Sequence, residues 1–336
     1  MRSAAHTIKG QGIGACYEEQ VKLIKERLST EFEVTENARG TFDLVHYHTV
    51  NPNYFVERLL SKHRTIGVGY VHFLPDSLEE SIQLPKAVRK LFTKYMLSFY
   101  NSMDYLITEN PAMIEKIRTY GITAPELLCI PNFVSSEMFY PMEEIESVVA
   151  KRKLGIPTNR FIVLGVGQLQ PRKGIVDFVE TAKRLPEMHF IWAGGFSFGK
   201  ISEGYDEIKE LMKAPPPNVQ FLGMIDREEM PWIYNTCDVL FLPSSEELLP
   251  MSILEALSCK KPILLRDIPL YEGTLFEYYL HGNTDETFAE SLQKLAEDQV
   301  LYQRWCEKAW EGRKLYLKEQ ALAHWENFYR CALKNN

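Results

Sequence analysis

The fold of this chain is restricted most by a regular alternation between short apolar runs and amphipathic helical patterns. The apolar runs are 42–48, 65–72, 104–110 and 126–132 in the first half, and 160–167, 189–195, 219–223, 238–243 and 262–267 in the second. Helical patterns separate them at 15–28, 85–103, 111–121, 175–184, 203–213, 227–236, 250–259 and 286–296. Strands that alternate with helices in this way predict βαβ units, and therefore an α/β fold with parallel sheets.

The alternation breaks between residues 135 and 159, where turn residues and charges surround one short helical pattern. A chain of 336 residues is also too long for one ordinary core. We therefore predict two Rossmann-like domains, 1–140 and 141–310, with a C-terminal helix in 311–336 that packs back on the first domain. Parallel sheets bind ligands outside the carboxyl ends of their strands, so two facing domains predict a ligand cleft between them.

Composition excludes several classes of function. The net charge of −7 lacks the strong basic excess of a general nucleic-acid binder. The six cysteines are scattered without a CxxC pair or a His/Cys cluster, which favours reduced thiols in a cytoplasmic protein and no metal site. The first thirty residues lack the pattern of a secretory signal, and no apolar run reaches the length of a membrane span.

The stretch GVGQLQPRKG, residues 165–174, joins the end of a predicted strand to the next helix. Gly165 and Gly167 allow a tight turn that brings backbone N–H groups close to a ligand. Arg172 and Lys173 add positive charge at the start of the helix, and together these features suit a diphosphate. An ordinary strand-to-helix turn with a basic pair on the surface explains the same residues equally well.

Two acids bracket the next strand-to-helix junction of this kind. Glu247 follows the run 238–243, and Glu255 lies inside the predicted helix 250–259. Carboxylates bind paired hydroxyls such as those of a sugar or a ribose, and the helix start near Pro250 directs backbone dipoles toward a phosphate. The alternative is a solvated acid in the loop and a locally paired acid in the helix.

In chain order, these stretches are the turn G-x-G…R-K-G, a strand that ends in AGG, FLG before a short helix, CDVLFLPS and E-x7-E. Their order and spacing resemble the retaining glycosyltransferases of family 4, most strongly from 160 to 265. The resemblance implies the GT-B fold, with two facing Rossmann-like domains and the donor mainly in the C-terminal one. GYVHFLP and LPKAVRKLFTKY look most like bacterial glycolipid synthases, and KGQGIG favours the diglycosyl-diacylglycerol synthases among them.

The resemblance also implies roles for individual residues. Glu255 would bind the ribose hydroxyls and Glu247 the donor sugar, while Lys173 and Arg172 would hold the diphosphate. The backbone of Met224–Ile225 would meet the base. The full implied donor site is Gly12, Gly167, Gln168, Arg172, Lys173, Met224, Ile225, Leu249, Pro250 and Glu255, and the residues assigned to catalysis are His72 and Glu247.

Three positions depart from the family pattern. Gln168 stands where the family often has Arg, which shifts the phosphate load to Arg172. Leu249 and Pro250 belong to an LLP segment that replaces a small, Gly-containing one, and Lys260 replaces the Gly of CGxP. These departures concern the donor sugar more than the nucleotide.

The first domain is expected to supply the acceptor side. Gly12 lies in the glycine-rich stretch KGQGIG, and in the family such a loop approaches the donor phosphate. His72 is the last residue of a predicted strand, at a position where the family has a His against the transferred sugar, although a lone His is more often structural. His46 and His48 are interpreted as structural or acceptor-side residues.

The segment 84–99 predicts a basic amphipathic helix. Its apolar stripe is Leu84, Val88, Leu91, Phe92, Tyr95, Met96 and Phe99, and its basic residues are Lys86, Arg89, Lys90 and Lys94. No acid occurs from Ile82 to Met103. Such a helix suits an anionic membrane surface. A helix that faces the core and solvates its basic side fits the same pattern.

Together these features predict a cytoplasmic transferase, peripheral on the inner face of the cell membrane. It would move glucose or galactose from a UDP-hexose to a glycolipid acceptor such as monohexosyl-diacylglycerol, through an α linkage and without a metal or other cofactor. Four alternatives stay open: transfer to diacylglycerol itself, transfer to a soluble sugar, a phosphorylase or epimerase of the same fold, and a non-catalytic sugar-nucleotide-binding protein.

Overall fold

The computed structural model describes residues 1–5, 12–76 and 81–334. The chain forms two compact units. The first contains Met1–Glu79, Gln83–Phe133 and Lys318–Asn336, and the second contains Glu80–Ile82 and Val134–Leu317. The sequence predicts boundaries at residues 140 and 310, whereas the chain passes between the two units after Phe133 and after Leu317.

The first unit is built on a parallel sheet. Its described strands, in their order across the sheet, are β1 (Leu44–Tyr47), β2 (Ile66–Tyr70), β3 (Tyr105–Thr108) and β4 (Glu126–Cys129). Its described helices up to β4 are α1 (Gly12–Arg27), α2 (Pro52–Ser61), α3 (Lys86–Asn101) and α4 (Met113–Thr119). Arg2 extends the sheet through a parallel bridge to Tyr47.

The second unit is built on a larger parallel sheet. Its strands are β5 (Ile162–Val166), β6 (His189–Ala193), β7 (Val219–Gly223), β8 (Val239–Leu242), β9 (Ile263–Arg266) and β10 (Leu280–Gly282). Its helices are α5 (Glu144–Lys153), α6 (Ile175–Arg184), α7 (Tyr205–Lys213), α8 (Met230–Thr236), α9 (Met251–Ser258), α10 (Asp285–Glu297) and α11 (Gln299–Gly312). The strand order is β10-β9-β8-β5-β6-β7, and helix α12 (Lys318–Lys334) belongs to the first unit.

Every apolar run predicted as a strand contains one, and β7 has the predicted bounds. The sequence interpretation missed α2 and β10. Helix α2 carries a start signal, since Pro52 occupies its first turn directly after Asn51. Strand β10 is only three residues long, and a segment of that length carries no periodicity that a pattern could detect.

Side chains of β1 alternate between the two faces of the first sheet. Nδ1 of His46 lies 3.0 Å from the hydroxyl of Tyr329 on α12, whereas the ring of Tyr47 packs 5.8 Å from that of Phe99 on α3. Gln20 of α1 also donates to Tyr329, at 3.1 Å. Strand order follows chain order from β1 to β4, so right-handed crossovers place α2, α3 and α4 together on the face opposite α1 and α12.

The core of the second unit explains one of the glycines. A Cβ built on Gly165 would lie 2.3 Å from the indole of Trp192 and 2.9 Å from the ring of Phe178. The two rings pack edge to face at 5.0 Å, and both residues are fully buried. We interpreted Gly165 as a residue that lets backbone approach a ligand, and the structure shows that core packing also requires it.

A stack of buried rings lies on the α1/α12 face of the first sheet. The ring of His48 lies 4.3 Å from that of His46 and 5.3 Å from that of Tyr70. Burial lowers the pKa of both His46 and His48 well below the usual 6.5. Both histidines are therefore neutral in the folded chain at neutral pH.

This burial predicts that acid destabilises the first unit. Each histidine has a lowered pKa in the folded chain and a pKa near 6.5 in the unfolded chain. Between these two values the unfolded chain binds protons that the folded chain does not, so stability is lost as the pH falls below about 6.5. Each histidine contributes a slope of up to about 1.4 kcal/mol per pH unit. We expect His48→Gln to flatten the dependence of the unfolding free energy on pH, measured by urea denaturation between neutral and mildly acidic pH.

The exposed His63 provides the matched control. His63→Gln should leave the slope of the wild-type protein unchanged. If His48→Gln and the wild type show the same dependence of the unfolding free energy on pH, His48 binds protons equally well in the folded and the unfolded chain.

Candidate active site

The candidate site lies where the strand order of the second sheet reverses. From β5 the chain proceeds to β6 and β7 on one side, and from β8 to β9 and β10 on the other. Strands β5 and β8 are parallel neighbours, with Val163 opposite Val239 and Leu164 opposite Leu240. The segments that follow these two strands therefore meet at a topological switch point, the usual place for a ligand in an open parallel sheet.

Close backbone contacts fix the turn after β5. Gly167 has φ 152°, and its carbonyl accepts a hydrogen bond from the indole N–H of Trp192 at 3.0 Å. A Cβ on Gly194, which has φ 143°, would lie 1.9 Å from the carbonyl oxygen of Gly167. A Cβ on Gly174, which has φ 72°, would lie 2.3 Å from the carbonyl oxygen of Pro243. Only glycine fits at Gly174 and Gly194. Gly174 brings the start of α6 against the end of β8, and Gly194 brings the ends of β5 and β6 together.

Lys173 and Glu247 form a buried ion pair at this junction. Nζ of Lys173 lies 2.5 Å from Oε1 of Glu247, and the two side chains are 14% and 6% exposed. Burial lowers the pKa of Lys173 and outweighs the opposite influence of Glu247. Burial raises the pKa of Glu247, but the charges of Lys173 and Arg172 outweigh it and hold this pKa below its usual range. Lys173, predicted to bind the diphosphate, and Glu247, predicted to bind the sugar, thus neutralise each other.

Arg172 points to other partners. Its Nε donates to the hydroxyl of Ser81 at 3.1 Å, and its Nη1 to the carbonyl of Glu246 at 3.4 Å. Its own carbonyl accepts from the N–H of Ser245 at 2.8 Å. The basic pair predicted from the sequence is therefore split, since Lys173 faces an acid and Arg172 holds two loops. Ser81 was not predicted, because 91 residues separate it from Arg172 and no local pattern connects them.

Glu255 lies in α9, is 4% exposed, and receives hydrogen bonds at both carboxylate oxygens. Arg227 Nη1 donates to Oε1 at 2.6 Å, and the hydroxyl of Tyr234 donates to Oε2 at 2.7 Å. The structure thus gives Glu247 and Glu255 separate partners. The sequence interpretation missed Arg227 and Tyr234, although both lie in the helical pattern 227–236 and their spacing of about two turns is a usable signal.

The other second-unit residues of the predicted donor site lie at the same end of the sheet. Met224 follows β7 and is 43% exposed. Ile225 and Gln168 are half-buried. Leu249 is buried, and Pro250 is the residue before the first turn of α9. That these residues bind a nucleotide stays a prediction.

His72 and Gly12 lie in the first unit. His72 follows β2 and is buried, and its ring stacks 4.1 Å from that of Tyr70. Its Nδ1 lies 3.6 Å from Oε2 of Glu109, and its Nε2 lies 3.5 Å from Nδ1 of His48. Gly12 is the exposed first residue of α1, and positions 9–11 of the predicted glycine-rich turn lie outside the described residues.

The predicted apolar stripe of helix α3 divides into two halves. Met96 and Phe99 are buried, whereas Val88 and Leu91 are 49% and 70% exposed. Among the basic residues, Lys86, Lys90 and Lys94 are exposed and Arg89 is half-buried. The neighbouring helix α2 adds exposed Val56, Leu59 and Leu60, and its Phe55 packs 5.7 Å from Tyr95. The second half of α3 is therefore a core helix, and its first half presents apolar and basic side chains to solvent.

Over the ranges that the structure describes, no helix is long and apolar enough to cross a bilayer. Over the same ranges, no group of three or more His, Cys, Asp or Glu side chains is arranged to hold a metal ion. The expectation that no metal is needed stays an expectation.

The Lys173–Glu247 pair predicts a large coupling in stability. Lys173→Met removes the cation that pairs with a buried carboxylate, which costs about 3–5 kcal/mol. Adding Glu247→Gln removes that charge, so the double variant should be less destabilised than the sum of the single variants, with a coupling of about 1–3 kcal/mol. Urea denaturation of the four proteins measures this coupling.

The exposed pair Lys213–Glu210 on α7 serves as the control. Lys213→Met should change the unfolding free energy by less than about 0.5 kcal/mol. If Lys173→Met costs no more than Lys213→Met, the ion pair at the switch point is not buried as described.

Comparisons with known proteins agree with this architecture. The family model described as glycosyl transferases group 1 matches residues 149–311. Alpha-galactosylglucosyldiacylglycerol synthase of Streptococcus pneumoniae is 39% identical over 329 residues, which are 98% of this chain and 88% of the relative. Processive diacylglycerol alpha-glucosyltransferase of Acholeplasma laidlawii is 28% identical over 325 residues, 93% of this chain and 95% of that relative.

Solved structures show the same fold. Sucrose-phosphate synthase from Thermosynechococcus elongatus has a TM-score of 0.74 at 20% identity, over 88% of this chain and 75% of its own. HepE from Anabaena, solved in complex with UDP-glucose, has a TM-score of 0.74 at 17% identity, over 92% and 88%. With a GT-B fold of two Rossmann-like parallel sheets and a near-full-length relative at 39% identity, the chain belongs to the group 1 glycosyltransferases, in the family of the glycolipid synthases.

Proposed function

We propose that the protein is a retaining glycosyltransferase that moves glucose or galactose from a UDP-sugar to a membrane glycolipid such as monohexosyl-diacylglycerol, with an α linkage. The observation that carries this proposal is the 39% identity over 98% of the chain to a relative named for the synthesis of α-galactosylglucosyldiacylglycerol.

The donor side is supported by the groups at the β5/β8 switch point. Lys173 and the helix start at Gly174 supply positive charge for a diphosphate, and Glu247 supplies acceptors for sugar hydroxyls. In the free protein Lys173 and Glu247 satisfy each other. Donor binding would separate Lys173 from Glu247. The ammonium of Lys173 would then bind the phosphates, and the carboxylate of Glu247 would bind the sugar.

Catalysis on this proposal is mainly positioning and electrostatic stabilisation of the departing diphosphate. Lys173, with Arg172 held beside it, would stabilise the charge that develops as the glycosidic bond to phosphate breaks. We assign no enzymic nucleophile. The acceptor hydroxyl would attack the anomeric carbon from the face that the diphosphate leaves, and its proton would pass to the departing diphosphate. Basic side chains and helix N-termini would take the place of a metal, and no cofactor is proposed.

The acceptor side is supported by the exposed surface of α2 and α3. Leu91, Val88 and Leu60 are large apolar side chains that face solvent, and exposed lysines accompany them on α3. A surface of this composition suits the interface of an anionic bilayer. We therefore propose peripheral attachment to the cytoplasmic face of the cell membrane, through the first unit.

A second acceptor is favoured by a specific comparison. The relative at 28% identity over 93% of this chain is named for the glucosylation of diacylglycerol. Diacylglycerol itself is therefore the second candidate acceptor. It lacks the one sugar that monohexosyl-diacylglycerol already carries.

We expect labelled hexose to pass from UDP-glucose or UDP-galactose to monohexosyl-diacylglycerol in mixed micelles, and much less to diacylglycerol or to free sugars. Thin-layer chromatography of the labelled lipid identifies the acceptor, and an α-specific glycosidase identifies the linkage. Lys173→Ala and Glu255→Ala should each lower turnover by at least about tenfold, since each removes a charged contact to the donor.

Each outcome of this assay has a clear meaning. Transfer only to diacylglycerol would replace the first acceptor by the second. Transfer only to a soluble sugar, or no transfer with either donor, would overturn the proposal. Full activity in both alanine variants would show that the donor lies elsewhere.

The proposed membrane surface predicts binding to anionic vesicles. In a flotation assay the wild-type protein should rise with vesicles that contain phosphatidylglycerol, and Leu91→Glu should lower the bound fraction by about tenfold, because the apolar contact is lost and a negative charge added. Val300, which is 81% exposed in the second unit, provides the control. Equal flotation of Leu91→Glu and Val300→Glu would contradict a membrane role for α3.

A further inference from the structure

Arg227 and Tyr234 reach Glu255 from one short stretch of chain. Arg227 is the first residue of the 3-10 turn Arg227–Glu229. Helix α8 begins directly after this turn, at Met230, and contains Tyr234. Seven positions separate the two side chains, about two helical turns, so both can point to the same side of the stretch. They hold opposite oxygens of one carboxylate, at 2.6 and 2.7 Å.

Phe139 packs against both side chains that donate to Glu255. The guanidinium of Arg227 lies over the Phe139 ring at 5.2 Å, and the ring of Tyr234 meets Phe139 edge to face at 5.8 Å. Phe139 and Tyr234 are fully buried, whereas the side chain of Arg227 is 21% exposed. The cation–π contact and the aromatic contact restrict the rotamers of both donors, and Arg227 forms the solvent side of the cluster.

Fixing a carboxylate has a direct effect on what it can recognise. The terminal torsion of a glutamate is soft, so an unrestrained carboxylate rotates between many orientations. A carboxylate offers about four lone-pair positions, and Arg227 and Tyr234 use one on each oxygen. One position on each oxygen then remains, and two such positions on a restrained carboxylate can accept from two adjacent hydroxyls of a sugar ring.

We propose that Arg227 is a positioning residue for ribose recognition: together with Tyr234 it holds the Glu255 carboxylate in the orientation that accepts the 2′ and 3′ hydroxyls of the donor nucleotide, and it stays paired with Glu255 when the nucleotide is bound. This inference rests on the proposed function, with ribose at Glu255 as the family resemblance implies. It adds two residues that the sequence motif does not contain. It also assigns the selectivity for ribose over deoxyribose to the cluster of Phe139, Arg227, Tyr234 and Glu255.

The test compares the affinities of UDP and 2′-deoxy-UDP, which differ by one hydroxyl. For the wild-type protein, calorimetry or competition should give UDP about a 10–100-fold advantage, as expected for a hydrogen bond to a charged acceptor. In Arg227→Met this advantage should fall to about threefold or less, because UDP loses the contacts of both hydroxyls whereas 2′-deoxy-UDP loses only that of its 3′ hydroxyl. Arg227→Lys should recover part of the advantage, and Tyr234→Phe should lose part of it.

Arg160 provides a matched control, because it precedes β5 and donates to the carbonyl of Pro186, at the opposite end of the strand from the switch point. Arg160→Met should keep the wild-type ratio. Thermal unfolding of each variant identifies any loss of fold, and Arg227→Lys and Tyr234→Phe keep the test decisive if Arg227→Met does not fold.

Three results would overturn the inference. The first is a wild-type ratio in Arg227→Met or, if that variant does not fold, in both conservative variants. The second is tighter UDP binding in Arg227→Met, which would mean that the nucleotide has to displace Arg227 from Glu255. The third is an equal loss of affinity for both ligands. A wild-type protein that does not distinguish UDP from 2′-deoxy-UDP would instead remove ribose from Glu255, and with it the donor placement of the proposed function.

Discussion

The pairing of β5 with β8 decides where the chemistry of the second unit can take place. These two strands are distant in the chain, yet their carboxyl ends are neighbours, and the segments after them cross at Gly174 and Pro243. A side chain at Gly174 would separate the segments, and with them Lys173 and Glu247. The position of the ion pair therefore follows from strand order and from one glycine, before any property of a ligand is considered.

The charged groups of the candidate site are satisfied within the protein. Lys173 pairs with Glu247, Arg172 bonds to Ser81, and Glu255 holds two donors. These arrangements avoid the desolvation penalty of an unpaired buried charge. In the proposed donor complex each group would either change its partner, as Lys173 does, or keep it and use its remaining acceptor positions, as the carboxylate on α9 does.

Local patterns in the sequence predict the strands and the turn after β5, because apolar runs and turn residues act over a few positions. The same patterns place Lys173, Glu247 and Glu255 after the correct strands. They do not predict that Ser81 meets Arg172 or that Arg227 meets Glu255, since these contacts depend on how distant segments are brought together. Periodicity likewise identifies the amphipathic helix α3, but tertiary packing decides that its second half is covered and its first half is open.

Helix α12 has a consequence for the order in which the chain acquires its structure. Its Trp325 and Tyr329 lie against His46 and Gln20 in the core of the first unit, although nearly the whole second unit separates them in the chain. During translation the second unit can close its core once residue 317 has left the ribosome. The first unit, although most of it is synthesised earlier, has to wait for helix α12 before its buried rings are shielded from water. Until then it is the part of the nascent chain that chaperones would recognise.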